Sequence, residues 1–174
     1  MGSAGGSCQW SSGQTVTSRL SMLRDVADVG GKPMNEEENT RLVQQFYQSM
    51  KEGDIQSLPN SLARDVEWEL PEMENVPFAG KWQGREGVDQ FFGKVSEVQD
   101  VVEFEPEEFI AQGNKVVVLG RFTMRIKATG RNVSSTWAHV WTVENGQITR
   151  FYEYVDTAVV SSAHTAAKTA VNTG

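Results

Sequence analysis

The stretch STWAHVWTVENGQITRFYEYVD, residues 135–156, predicts a β-hairpin. Apolar and aromatic residues flank the dipeptide Asn145-Gly146, which is a strong signal for a tight turn between antiparallel strands. His139 lies on the first strand and Glu153 on the second, each seven residues from Gly146. Whether these polar side chains can act together depends on the register of the hairpin.

Two turns are compatible with this sequence, and they pair the strands differently. A two-residue turn at Asn145-Gly146 places His139 opposite Tyr152, whereas a three-residue turn places His139 opposite Phe151. Cross-strand partners share a face of the sheet, so only the second turn puts His139 on the same face as Glu153. The Asn-Gly dipeptide taken alone favours the first turn.

Outside the hairpin, the chain reads as helices followed by strands. Apolar residues recur at helical spacing over 42–50 and 88–98, a short helix bent by Pro59 lies between them, and 66–70 alternates like a strand. Further strands are predicted near 102–111, 115–128, 133–143 and 147–156. This order of elements indicates an α+β fold with helices laid on one face of a sheet.

The composition changes at both ends of the chain. Residues 1–33 are rich in Gly and Ser and are predicted to be a flexible extension, 34–160 the folded domain, and 161–174 a flexible tail. The net charge of −7 opposes nonspecific binding to nucleic acid or to an anionic membrane. No apolar run approaches the roughly 18 residues of a membrane-spanning helix.

Cysteine and histidine are scarce. Cys8 is the only cysteine, so no disulfide can form within the chain, and a reducing, cytoplasmic location is expected. With that cysteine and two histidines, only carboxylates could complete a zinc site, and no dinucleotide-binding fingerprint occurs. We therefore expect chemistry without a metal or a cofactor.

Four stretches in a fixed order resemble the SnoaL-like branch of the NTF2-like superfamily. They are RLVQQFYQSMKEGDIQSL, LARDVEWELP, FAGKWQGREGVDQFF and the segment from GRFTMRIKATGR to FYEYVDT, and the likeness covers about residues 36–157. It implies a cone: a curved, mixed but mostly antiparallel sheet wrapped around helices, with an internal apolar pocket. It also implies a homodimer through the sheet face. Surplus aromatic strand residues favour the same pairing, because soluble monomers rarely expose large apolar patches.

Comparison with two branches of the superfamily argues against their mechanisms. Against the ketosteroid isomerases, Phe46 matches the position of the tyrosine and Leu70 that of the basic carboxylate. Tyr47 would replace that tyrosine only if its helix were rotated. Against the limonene-type epoxide hydrolases, Arg121 is present, but Thr123 replaces the aspartate that serves as the base.

The SnoaL-type polyketide cyclases match better. Their acid–base pair, a strand histidine and an acidic residue past the next turn, corresponds to His139 and Glu153, although the family has Asp rather than Glu. The resemblance thus favours the three-residue turn, and we predict a concave pocket. Its predicted lining residues are Trp137, His139, Trp141, Phe151 and Glu153.

The sequence as a whole predicts a cofactor-independent enzyme that cyclises, isomerises or hydrates a hydrophobic carbonyl compound. Two alternatives stay open: a protein that binds an apolar ligand without chemistry, and a dimerisation module with a vestigial pocket. The candidate catalytic residues are His139, Glu153 and Asp156, the last of which could instead cap a C-terminal helix. Arg121 could instead pair with an acidic neighbour. The candidate ligand-contacting residues are Phe46, Trp68, Arg121, Trp137, Trp141, Phe151 and Tyr154.

Overall fold

The computed structural model describes residues 35–165 and begins with helix α1, Glu36–Glu52. Asn35 caps this helix: its side chain accepts the Glu38 N–H at 2.8 Å, and the Glu38 carboxylate accepts the Asn35 N–H at 2.9 Å. Gly53 ends the helix in the left-handed conformation, with φ 74°, which glycine adopts without steric strain. The predicted extension over 1–33 lies outside the described residues.

A six-stranded mixed sheet forms the second layer. Its strands are β1 Leu62–Glu69, β2 Lys81–Gln83, β3 Gln99–Gln112, β4 Lys115–Ile126, β5 Asn132–Glu144 and β6 Gln147–Val155. Their spatial order is β2-β1-β6-β5-β4-β3, and every neighbouring pair is antiparallel except β1 with β6. The sheet does not close into a barrel, because β2 and β3 are its two free edges.

Three further helical segments complete the described part of the chain. A 3₁₀ helix, Ile55–Ser61, leads into β1; α2, Gly84–Val98, joins β2 to β3; and α3, Thr157–His164, follows β6. The predicted α+β class and long elements are confirmed, and α3 is the C-terminal helix that Asp156 was considered to cap, while β2 was not predicted. Ser161 to His164, predicted to belong to the flexible tail, lie in α3, where Ala163 is buried.

The core lies between the helices and one face of the sheet, which we call the inner face. Helix α1 packs on β3 and β4, and α2 packs on β1. Along β4, buried and exposed side chains alternate, as expected when only one face of a sheet is covered. The largest fully buried side chains are those of Trp141, Phe46, Leu62, Ile126 and Ile148.

The prediction of a three-residue turn in the β5–β6 hairpin is wrong. Asn145 and Gly146 have φ values of 51° and 76°, and Glu144 pairs directly with Gln147, so the loop has two residues. Positive φ at both central positions is the geometry of a type I′ turn, whose twist matches that of the flanking strands. The Asn-Gly dipeptide therefore sets the local turn.

A β-bulge then changes the register of β6. Val143 pairs with Ile148, whereas the preceding residue, Thr142, pairs with Arg150, so Thr149 is the extra residue. Each residue of β6 beyond this point is shifted by one position relative to β5. His139 and Glu153 become direct cross-strand partners, so the predicted shared face is confirmed, although the predicted partner of His139, Phe151, is wrong.

Candidate functional site

A cavity of about 1140 Å³ lies between α1, α2 and the inner face of the sheet. Aromatic rings form much of its wall, including those of Phe46, Trp68, Phe91, Phe104, Trp141 and Phe151. Exposed charged side chains lie at its outer rim, where Lys51 Nζ is 3.8 Å from Glu105 Oε1 and Lys127 Nζ is 3.3 Å from Asp100 Oδ1. The wall suits an apolar ligand of drug-like size.

His139 and Glu153 project together into this cavity from β5 and β6. Their pairing in the ladder brings His139 Nε2 to 3.2 Å from Glu153 Oε1. The two side chains are 7% and 14% exposed. Trp137 stacks on the imidazole at a ring-centroid distance of 3.9 Å, and Phe151 meets it edge-on at 4.8 Å. The ring is therefore held by packing on two sides as well as by its hydrogen bonds.

Tyr47, which the sequence analysis did not assign to the site, joins it from α1. Its hydroxyl lies 2.7 Å from His139 Nδ1 and accepts the indole N–H of Trp141 at 3.0 Å. Both Phe46 and Tyr47 are buried and line the cavity without any rotation of the helix, because the apolar stripe of a helix is wide enough to hold adjacent positions. The helical spacing of Tyr47 with Val43 was the sequence pattern that could have predicted its place on the buried face.

The donor and acceptor chemistry of these groups fixes the tautomer of His139. The indole of Trp141 can only donate, so the Tyr47 oxygen accepts from it; the Glu153 carboxylate can only accept, so Nε2 of the neutral ring donates to it and the Tyr47 hydroxyl proton goes to His139 Nδ1. Nδ1 is then an acceptor, and the ring proton is on Nε2, where it is donated to Glu153. The imidazole in this arrangement is neutral.

Burial favours the same protonation states. Burial lowers the pKa of His139 below its ordinary value of 6.5, and the hydrogen bond to Glu153 opposes this shift only in part. Burial also raises the pKa of Tyr47 well above 10.0. At neutral pH, His139 is therefore an uncharged imidazole and Tyr47 a protonated phenol.

This pKa shift predicts how stability depends on pH. Below pH 6.5 the unfolded chain protonates His139 while the folded chain does not. The free energy of unfolding therefore decreases as the pH is lowered, by at most about 1.4 kcal/mol per pH unit. We expect the stability advantage of wild type over His139→Gln, measured by urea denaturation, to shrink between about pH 7.5 and 5.5. A constant difference would contradict a buried neutral imidazole, since the two proteins differ only in the side chain at position 139.

Four of the predicted ligand-contacting residues lie in the cavity wall: Phe46, Trp68, Trp141 and Phe151. Trp137 is buried on the same face but is not part of the wall; it lies against the His139 ring and stacks on Phe104 at 5.0 Å. Its predicted ligand contact is therefore corrected to a packing role beneath the imidazole.

Two other predicted contacts lie on the opposite face of the sheet, which we call the outer face. Tyr154 follows Glu153 directly, so the alternation of a strand turns it outward, where it is 58% exposed. Arg121 is also exposed and pairs with Glu103 and Glu107. Side chains alternate between the two faces of a strand, and both predicted ligand contacts fall on the outer face. The alternative considered for Arg121, pairing with an acidic neighbour, is the one found.

Asp156 lies outside the cavity wall and caps α3. Its carboxylate accepts the N–H of Val159 at 3.0 Å, so the alternative role considered for it is the one found. We expect Asp156→Ala to lower the free energy of unfolding by about 1 kcal/mol and Asp156→Asn to change it little, because Asn caps as well as Asp. Urea denaturation measures both variants. A loss of activity in Asp156→Asn at unchanged stability would restore Asp156 to the site.

Within residues 35–165, no group of three or more His, Cys, Asp or Glu side chains is arranged to hold a metal ion. Over the same range, no helix is long and apolar enough to cross a membrane.

Known proteins share this architecture. A family model described as the SnoaL-like domain matches residues 43–151. An NTF2-like protein from Burkholderia xenovorans is 34% identical with a TM-score of 0.70, over 76% of this chain and 99% of that one. An NTF2-like protein of unknown function from Burkholderia pseudomallei is 30% identical with a TM-score of 0.68, over 76% and 100%.

A third solved structure was obtained with a small molecule. TerC, co-crystallised with polyporic acid, is 28% identical to this chain with a TM-score of 0.65, over 73% of this chain and 98% of that one. Among curated proteins, none matches this sequence.

Proposed function

Because this chain belongs to the SnoaL-like family, as its sequence predicted, we propose that it is a cofactor-independent acid–base catalyst. Its substrate is a hydrophobic carbonyl compound, which it cyclises, isomerises or hydrates. The observation that carries the proposal is the His139–Glu153 pair in the wall of an aromatic cavity, where His139 is buried and Glu153 is only 14% exposed. Enclosing a carboxylate in such surroundings costs free energy, which makes Glu153 a candidate for a functional role.

The hydrogen bonds assign different roles to the two residues. Both ring nitrogens of His139 are engaged, Nδ1 by Tyr47 and Nε2 by Glu153. Among the described residues, the Glu153 carboxylate makes one hydrogen bond, through Oε1, and Glu153 lines the cavity, so Oε2 is the oxygen available to a ligand. Glu153 is therefore the general base, and His139 orients it.

The proposed reaction begins when Glu153 removes a proton from a carbon next to the ligand carbonyl. The C–H bond breaks, its electron pair forms an enolate, and the proton is held on Oε2. In a cyclisation, the enolate carbon attacks a second carbonyl of the same molecule, and Glu153 returns the proton to the oxygen of that carbonyl. In an isomerisation, the proton returns to a different carbon. Either sequence restores the carboxylate without a co-reactant.

Deuterium exchange tests this proposal without knowledge of the natural substrate. Polyporic acid, which TerC was crystallised with, is the first binding probe, followed by a panel of aryl ketones and β-diketones. We expect the protein to accelerate exchange of the carbon-bound proton of a bound ketone in D₂O, measured by ¹H NMR. Tight binding of several compounds with no accelerated exchange would favour the apolar-ligand binding protein instead.

We further propose that a second copy of this chain covers the outer face. The register of β4, β5 and β6 places Leu119, Ala138 and Tyr154 side by side, and Leu119 and Tyr154 are 37% and 58% exposed. Exposed apolar side chains that adjoin in this way are typical of an interface. Cross-strand neighbours Val117, Val140 and Tyr152 extend the patch.

A charge placed in this patch is expected to separate the two copies. Light scattering should give the mass of a dimer for wild type and of a monomer for Tyr154→Glu, because a carboxylate in an apolar interface loses its hydration. Gln45→Glu, an exposed position on α1, is the matched control and should stay dimeric. A wild-type protein that is monomeric at every concentration would overturn the proposal.

We also propose that the protein is located in the cytoplasm. A single cysteine in 174 residues fits the reducing cytoplasm, since no disulfide within the chain is needed to hold the fold. Fractionation of the native host, with the protein recovered outside the cytoplasmic fraction, would contradict it.

A further inference from the structure

Three hydrogen bonds connect four side chains into a single hydrogen-bonded network that ends at the candidate base. Trp141 Nε1 donates to the Tyr47 oxygen at 3.0 Å, the Tyr47 hydroxyl lies 2.7 Å from His139 Nδ1, and His139 Nε2 lies 3.2 Å from Glu153 Oε1. The hydrogen bonds of Tyr47 to Trp141 and to His139 are buried. The hydrogen-bonded network links α1 to β5 and β6.

We infer that Tyr47 is a positioning residue of this site: oriented by the indole N–H of Trp141, its hydroxyl holds His139 in the tautomer that donates to Glu153. The inference rests on the proposed function and deepens it, since it names the groups that determine how the base is presented. Trp141 and Glu153 set the donor-to-acceptor direction from the two ends, because an indole N–H can only donate and an ionised carboxylate can only accept.

The same chemistry disfavours the opposite donor-to-acceptor direction of the hydrogen-bonded network. If His139 carried its proton on Nδ1, it would donate to the Tyr47 oxygen, which already accepts from Trp141. The hydroxyl proton would then need another acceptor in an aromatic wall. Because Nε2 already carries the ring proton, His139 has no free position facing Glu153 that could accept a second proton.

The surrounding rings hold the same arrangement in place. Trp137 stacks on the imidazole at 3.9 Å, and Trp141 contacts Tyr47 edge-on at 5.5 Å. Because these rings restrict rotation of His139 and Tyr47, Nδ1 faces α1 and Nε2 faces β6. The raised pKa of Tyr47, caused by burial, agrees with a hydroxyl that keeps its proton.

Nitrogen-15 NMR of histidine-labelled full-chain protein tests the inference without a substrate. The signals of His139 are assigned by their loss in His139→Gln. We expect wild type to show one tautomer, with the proton on Nε2. The informative variant is Glu153→Gln, because a glutamine can donate to or accept from Nε2 and so permits either tautomer. We expect Glu153→Gln to keep the Nε2–H form.

The second variant removes the donor to Nδ1. In Tyr47→Phe combined with Glu153→Gln, nothing selects a tautomer, and we expect a mixture of both forms. Trp141→Phe with Glu153→Gln gives an independent route to the same mixture, should the first double variant not fold. A wild-type His139 protonated on Nδ1, or a mixture already present in Glu153→Gln alone, would overturn the inference. Neither result depends on whether the protein catalyses proton abstraction.

Discussion

Replacing Glu153 by glutamine is expected to slow carbon deprotonation of a bound ketone by about 10²- to 10⁴-fold, the contribution of a positioned general base. The amide has the same shape, and its oxygen can still accept the Nε2–H of His139, so the fold and the cavity should be retained. What the amide lacks is the ability to take up a proton at neutral pH. Ligand affinity should therefore change much less than the exchange rate.

The matched control is a second carboxylate that lines the same cavity. Glu105 lies at the outer rim, where it faces Lys51 and is partly exposed. Glu105→Gln should leave the deuterium-exchange rate within about twofold of wild type, because an exposed pair of this kind contributes little. Equal rates for wild type and Glu153→Gln, at equal ligand occupancy, would remove Glu153 from the mechanism.

Gly120→Ala is expected to have the largest effect on stability, a loss of about 1–3 kcal/mol or more in the free energy of unfolding. A β-carbon at this position would lie 2.5 Å from the carbonyl oxygen of Glu105 and would overlap the indole ring of Trp137. The first atom belongs to the backbone of the paired strand β3 and cannot move cheaply. The second belongs to the ring on which His139 stacks, so the site should be disturbed as well.

Gly93→Ala provides the opposite expectation at another glycine. Gly93 is exposed in α2, and a β-carbon there would meet no atom within 4 Å. Because alanine favours the helix and restricts the unfolded chain, we expect a gain of about 0.4–1 kcal/mol. Urea denaturation followed by tryptophan fluorescence measures both variants. A Gly120→Ala protein as stable as wild type would show that both Trp137 and the β3 backbone at Glu105 move without cost.

Local patterns were sufficient to predict most of the elements. Helix α1, with its acidic first turn and Gly53 at its end, depends on residues within a few positions of one another, and so does the alternation along β4. The short strand β2 was missed for a physical reason. Three residues, Lys81–Gln83, carry too little periodicity to be recognised, and they form a strand because β1 offers an edge to pair with.

The pairing of His139 with Glu153 shows where local reasoning reaches its limit. The sequence correctly indicated the Asn145-Gly146 reversal, and the dipeptide alone favoured the two-residue turn that is found. That turn without a bulge would place the two side chains on opposite faces. The extra residue, Thr149, restores the shared face, and no local pattern singled out this position for a bulge.

The sequence by itself determined the class of fold, its family and the two residues most suited to acid–base chemistry, because hydrophobic period, turn residues and side-chain pKa are properties of short segments. Only the tertiary structure decided that Tyr47 belongs to the site and that Tyr154 does not. The hydroxyl of Tyr47 and the imidazole of His139 are 92 residues apart in the chain yet 2.7 Å apart in space. Such a contact arises from how α1 packs on the sheet. That packing depends on the folding of the whole domain and cannot be predicted from any short segment of the sequence.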